Sequence, residues 1–263
     1  SSISNQIKDD YNENHCGCIL CQLCNKLYWK HENLACNKYM LQAIKPQSEN
    51  LHWYLELIIN KIKRNQCVHL AIVGRDPYPS NPIGIPFAKR TLEETFASTS
   101  GKHLFPALGI DTTKWKQSGR DVKKFYSELC SKGIIFLNVS YKFLEHDFVK
   151  KRISPYLRCA NTYNKYILER CNRILLCGDA DKGTRWANKN YHSSYYKRAE
   201  KTNHPSAWRH SANLRMKITK KNQPKRINYW GGKDHLLDIM EPVPIATIFH
   251  PIRDAIEEMN NLV

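Results

Sequence analysis

Hydrophobic positions along the chain fall into two kinds of run. Short, nearly continuous apolar runs at Val68–Val73, Gly133–Val139, Arg173–Cys177 and Val243–Phe249 predict buried strands. A more polar strand is expected at Tyr195–Asn203. Between them lie segments whose apolar residues recur every three or four positions. Leu51–Ile62 is the plainest, with Leu51, Leu55, Ile58, Ile59 and Ile62 on one helical face. Further helices are expected at Leu92–Ser98, Gly119–Ser131, Pro155–Cys171, Asp181–Asn190, Ser211–Lys220 and Asp254–Asn260. Pro155 follows Ser154 at an early helical position, where its missing N–H costs nothing. Gln223–Gly232 reads as a connection. Strands alternating with helices imply an α/β fold: three layers, α/β/α, around a central, mostly parallel sheet of four to five strands.

The end of the first strand carries the most informative chemistry. After Val73 the chain turns at Gly74 and presents Arg75, Asp76, Pro77 and Tyr78, and a Pro/Gly-rich loop then leads to Phe87. An acid and two aromatics at a strand end are the layout of a pocket that grips a flat ring and reacts beside it. Taken singly these residues mean little. Asp-Pro-Tyr is usually a turn, a lone Phe is usually core, and a strand-end Asn is usually a cap.

Three motifs in order change that reading. Gly74-Arg-Asp-Pro-Tyr-Pro79 with Phe87 resembles the first motif of the uracil-DNA glycosylase superfamily, which runs Gly-Gln-Asp-Pro-Tyr-His and continues to a Gly-x-x-Phe segment. Gly133-Ile-Ile-Phe-Leu-Asn138 resembles its second strand, and Asn203-His-Pro-Ser206 its His-Pro-Ser motif. The resemblance spans about Val68 to Lys220 and leaves residues 1–60 and 222–263 unmatched. It implies catalytic roles for Asp76 and His204. It also implies a base pocket of Arg75, Tyr78, Phe87 and Asn138, in which Phe87 stacks on the base, Asn138 reads its pairing edge and Tyr78 crowds C5. A second His-Pro, His250-Pro251, is the alternative to His204. His204 is preferred because it carries the full His-Pro-Ser, and only 13 residues follow His250. Departures stand at Arg75, where the pattern has Gln, at Pro79, where it has His, and after Ser206. There Trp208 or Arg209 would fill the vacated base stack.

Charge points the same way. The 263 residues carry 41 Lys and Arg against 24 Asp and Glu, a formal net charge of +17. From Lys182 to Lys233 there are 14 basic residues and one acid, Glu200. A basic stripe suits a polyanion, here DNA, and the expected contacts are Ser206, Trp208, Arg209, Arg215, Lys217, Lys220 and Lys221. No apolar run reaches the ~18–20 residues that span a bilayer, and nothing reads as a signal peptide, so a cytoplasmic or nucleoid-associated monomer is expected. Five of the ten cysteines lie between Cys16 and Cys36, in a Cys-rich extension over residues 1–50 that is expected to pack on the core domain of residues 51–263. The spacing of Cys16, Cys18, Cys21 and Cys24 is tight enough for zinc or an iron–sulfur cluster, although no required cofactor or catalytic metal is expected. The remaining cysteines read as core thiols.

The sequence therefore predicts a monofunctional DNA glycosylase that flips a pyrimidine out of the helix and excises it, leaving an abasic site. No Lys in the motifs offers a Schiff-base nucleophile, so strand cutting is not expected. Two alternatives stay open at this point. One is a glycosylase acting on hypermodified cytosine, such as glucosylated hydroxymethylcytosine of invading phage DNA, because a flipped Asn amide serves cytosine as well as uracil. The other is a catalytically weak DNA-binding or replication-accessory protein on the same fold.

Overall fold

The computed structural model describes residues 48–139, 141, 164, 166–178, 180, 199–202, 204–206, 230 and 250–263. The Cys16–Cys24 cluster, Trp208, Arg209, Arg215, Lys217, Lys220, Lys221 and the expected strand Val243–Phe249 lie outside them, as do the expected helices over 181–190 and 211–220.

The described elements run α1 (Glu49–Lys63), β1 (Val68–Gly74), α2 (Leu92–Ala97), α3 (Gly101–Leu108), α4 (Thr112–Gln117), α5 (Val122–Ser131), β2 (Ile134–Asn138), β3 (Cys171–Cys177), β4 (Ala199–Thr202) and α6 (His250–Asn260). Their strands form one parallel sheet in the order β2-β1-β3-β4, between layers of helices. Every residue of β2 is buried, as are six of the seven of β1, which is why both read as unbroken apolar runs. Strand order reverses beside β1: β2 lies on one side of it, and β3 and β4 on the other. In open parallel sheets the crevice at such a reversal, outside the carboxyl ends of the strands, is where ligands bind.

Helix α1 starts where its sequence says it should. Ser48 caps it, accepting from the Leu51 N–H at 3.1 Å, and Leu51, Tyr54, Leu55, Ile58 and Ile59 form its buried face. The same Ser48 hydroxyl donates to the Ile83 carbonyl at 3.3 Å, which ties the loop after β1 to this helix. Tyr54 hydroxyl accepts the Phe136 N–H at 2.9 Å. Behind the sheet Phe96, Phe105, Phe125, Tyr126 and Phe136 meet edge to face, with centroids 5.2–5.9 Å apart in four of the pairs.

Several boundaries differ from the sequence reading. The closing helix begins at His250, not Asp254, because Pro251 occupies the first turn instead of breaking it. Strand β3 begins at Cys171, so the preceding helix is shorter than expected at its end. Helix α5 starts at Val122 because Asp121 caps it, accepting from the Lys124 N–H at 2.7 Å. Of the expected polar strand Tyr195–Asn203, Ala199–Thr202 is seen as β4, and residues 195–198 and 203 lie outside the described residues. Helices α3 and α4 were not expected at all. Among the described cysteines Cys130, Cys171 and Cys177 are buried thiols, but Cys67 is exposed and not a core residue. Burial pushes the Cys130 thiol up to about 12.

Candidate active site

Three strand ends supply the site. In the β1–β2 register Gly74 lies beside Asn138, the last residue of each strand. An added Cβ on Gly74 would stand 2.8 Å from Asn138 Oδ1 and 2.8 Å from Phe87 Cζ. Only a hydrogen atom fits there, so the glycine lets the amide and the aromatic ring close over the end of β1.

Phe87 is held in an unusual way. Its φ is +60°, in the left-handed region that an aromatic residue rarely enters. The ring is 6% exposed and packs on Phe136 with centroids 6.0 Å apart. Backbone strain of this sort costs roughly 1–3 kcal/mol and concentrates at functional sites. Here it turns the ring away from the loop and onto Gly74.

Asn138 is 2% exposed, and its amide Nδ2 is buried with no hydrogen-bond partner among the described residues. An orphaned buried donor is costly unless something else pairs with it. The backbone of Asn138 is pinned from below. Asn164 Nδ2 donates to the Asn138 carbonyl at 2.7 Å, and Tyr141 hydroxyl donates to Asn164 Oδ1. Both supporting residues are buried. Sequence reasoning missed them, since nothing local marks a contact between residues 26 apart.

His204 arrives from the other side of the switch point. β4 pairs with β3 through Cys177 and Thr202, and the Gly178 N–H donates to the Thr202 carbonyl at 2.9 Å. Gly178 has φ +57°, and a Cβ there would stand 3.1 Å from His204 Cβ, so this second glycine seats the histidine. The imidazole tilts 31° to the Phe87 ring at 5.9 Å. Ser206 fixes the tautomer. Its backbone N–H donates to His204 Nδ1 at 3.2 Å, and its hydroxyl lies 2.7 Å from the same atom. A backbone N–H can only donate, so Nδ1 accepts, and the neutral ring carries its proton on Nε2. Ser206, expected as a DNA contact, is thus also the residue that orients His204.

Asp76 follows two residues after Gly74, with its side chain 8% exposed. Arg75, expected as a base contact, has its Nε 2.7 Å from Asp76 Oδ1. Tyr78 hydroxyl and Ser98 Oγ are 2.8 Å apart, and Lys89 Nζ stands 5.1 Å from the centre of the Tyr78 ring. Burial raises the Tyr78 phenol above its ordinary pKa, while hydrogen bonds from Ser98, Ser100 and Gly101 pull partly the other way.

His250 belongs to a different region. It is an exposed residue at the start of α6, with Nδ1 3.4 Å from Asp254 Oδ2. With His69 and Lys132 it lines a surface cleft of about 540 Å³. His69 is the second residue of β1 and Lys132 precedes β2, so this cleft opens at the amino ends of the strands. Gly74 lies five residues along β1, roughly 17 Å away at the rise of an extended chain. The structure therefore brings Asp76, Tyr78, Phe87, Asn138 and His204 to one end of the sheet and leaves His250 at the other. Among the described residues no group of three or more His, Cys, Asp and Glu is arranged to hold a metal ion, and no helix is long and apolar enough to cross a membrane.

No protein-family model matches the chain, and no curated protein matches it. Among solved structures, the wild-type UNG of Nitratifractor salsuginis aligns with 69% of this chain and 89% of its own, at 14% identity and a TM-score of 0.37. A tyrosine-to-glycine mutant of that UNG aligns with 53% of this chain and 66% of its own, at 17% identity and a TM-score of 0.34.

Proposed function

We propose that the protein is a monofunctional DNA glycosylase that hydrolyses the bond between deoxyribose and a flipped-out uracil, leaving an abasic site. The observation that carries the reading is that Phe87 packs between Gly74 and the His204 imidazole, with the Asn138 amide beside it, at the strand end that Asp76 follows by two residues.

Each element has a role that its chemistry suits. The glycosidic bond is sheltered in the base stack, so the nucleotide must first rotate out of the helix. Phe87 offers a flat apolar surface for the flipped ring. The Asn138 amide, whose Nδ2 has no partner among the described residues, offers a donor and an acceptor for the hydrogen bonds the ring loses on leaving its pair. As the C1′–N1 bond breaks, its electron pair leaves with the base, and the sugar becomes a cation. Asp76 stabilises that cation and takes a proton from the water whose oxygen bonds to C1′. His204 donates a hydrogen bond through Nε2–H to the developing base anion, which solvent then protonates. Fixed groups aimed at charge that appears only in the transition state are an effective source of catalysis.

Tyr78 favours uracil over bulkier pyrimidines. Its hydroxyl is bound to Ser98, so the ring is not free to swing aside. If that ring faces C5, as the sequence resemblance implies, it meets the methyl of thymine and any larger substituent. A panel of oligonucleotides carrying uracil, thymine or glucosylated hydroxymethylcytosine tests this. Release of uracil alone is expected. Release of the glucosylated base alone would replace the substrate, and DNA binding without any release would make the protein an accessory factor.

A further inference from the structure

Arg75 stands one residue before Asp76 and grips it with two nitrogens: Nε is 2.7 Å from Oδ1, and Nη2 is 3.4 Å from Oδ2. The Asp76 side chain is 8% exposed, and that of Arg75 is 27% exposed. A carboxylate suited to facing a growing positive charge is thus partly neutralised by a cation of its own chain. With the guanidinium in place, the two fields oppose each other at the sugar.

The pair is also replaceable. A guanidinium fork fits a phosphate as well as a carboxylate, and arginine binds both in two-pronged fashion. Every internal nucleotide of DNA carries a phosphate on each side of its sugar, close to where Asp76 must act. We propose that Arg75 is an exchangeable counter-ion. In the free protein it holds Asp76. On DNA it transfers to a phosphate flanking the target nucleotide, and its departure unmasks the carboxylate. This rests on the glycosylase reading above and adds a condition to it: Asp76 reaches full strength only when a charged backbone is seated beside it. Arg75 is then a positioning and gating residue, not a reader of the base. Burial separates the two partners in a way that suits such an exchange, since the more exposed arginine is the one that moves.

The test couples Arg75→Gln to the charge of the flanking phosphates. Two uracil oligonucleotides are compared at saturating protein under single-turnover conditions, one natural and one with neutral methylphosphonates at the two linkages around the uracil. The wild type should slow on the neutral backbone, because Arg75 stays on Asp76. Arg75→Gln should slow roughly tenfold less, and should outrun the wild type on that substrate. On natural DNA the variant should bind more weakly, with a salt slope shallower by about one. Equal slowing of both proteins, or a variant inactive on both substrates, overturns the exchange. A second readout separates this idea from the function itself. The ¹⁵Nε–¹H signal of Arg75 should move in Asp76→Asn, and also when wild type binds a natural duplex bearing a non-hydrolysable abasic analogue. The methylphosphonate duplex should leave it in place. If no base is released but the signal still moves this way, the glycosylase reading fails and the exchange stands. If DNA binding leaves the signal unmoved, the exchange fails.

Discussion

Gly74→Ala places one methyl group against both Phe87 and Asn138, and the geometry sets its effect. The new carbon would lie 2.8 Å from Phe87 Cζ and 3.2 Å from Phe87 Cε2, where carbon pairs settle at about 3.5–4.0 Å. It would also lie 2.8 Å from Asn138 Oδ1. Neither neighbour is a loose side-chain end. Phe87 is buried against Phe136, and Asn138 is 2% exposed on a backbone whose carbonyl accepts from Asn164. One or both must retreat by roughly 0.5–1 Å. Overpacking of this kind costs about 1–3 kcal/mol. Replacing glycine in a strand returns roughly 0.5–1 kcal/mol through the unfolded chain. The net loss should be about 0.5–2 kcal/mol, a fall in Tm of only a few degrees for a domain of this size. Activity should suffer far more, because a displacement near 1 Å in a positioning group costs on the order of 10²-fold. Thermal unfolding followed by circular dichroism gives the first quantity. Single-turnover release of uracil well below Tm gives the second. A folded Gly74→Ala protein with a rate within about threefold of wild type would refute the idea that Phe87 and Asn138 form the base floor.

The remaining predictions follow the same geometry. His204→Ala should slow the chemical step by roughly 10²–10³-fold, the cost of removing a donor to a developing anion, while His250→Ala changes it little; equal losses in single-turnover assays would show that the wrong end of the sheet was chosen. Asn164→Ala should reduce uracil release more than it reduces DNA affinity, because it frees the Asn138 carbonyl without touching the DNA face; a parallel fall in both would give Asn164 a general structural role. Tyr54 and Tyr126 are fully buried and their phenols are raised well above the ordinary value, mainly by desolvation. Above pH 10 the unfolded chain loses these protons while the folded one keeps them, so stability present below pH 10 should fall as pH rises further; flat denaturant midpoints from pH 9 to 11 would contradict this.

How much of this could be read from the sequence depends on the range of the interaction. β1, β2 and most of β3 were legible because a strand buried on both faces must be apolar throughout, a local property. Asn138 drew notice as the last residue of such a strand, and Asp76 as the second residue beyond one. The same local logic misled at residues whose partners are distant or whose role is positional. Gly101 and Pro106 argue against a helix by propensity, yet α3 contains both. The closing helix was expected from Asp254, yet Pro251 lies in the first turn of α6. The left-handed Phe87, the support of Asn138 by Asn164 and Tyr141, and the fork of Arg75 on Asp76 come from how the loop and strands close, which no pattern of hydrophobic spacing encodes. Only the motif separated His204 from His250 in the sequence; the structure adds their positions, with β4 and Gly178 placing His204 at the carboxyl end of the sheet.

The most direct measurement is single-turnover release of uracil from DNA by wild type and by Asp76→Asn, with binding to the same duplex followed in parallel. Asn keeps the shape of the side chain and removes its charge, so DNA should still bind. Expected are uracil release by the wild type, an abasic product without strand cleavage, and a loss of at least about 10³-fold in the variant. A wild type that binds the duplex and releases no uracil, or a variant that releases it at a near-normal rate, would contradict the central claim.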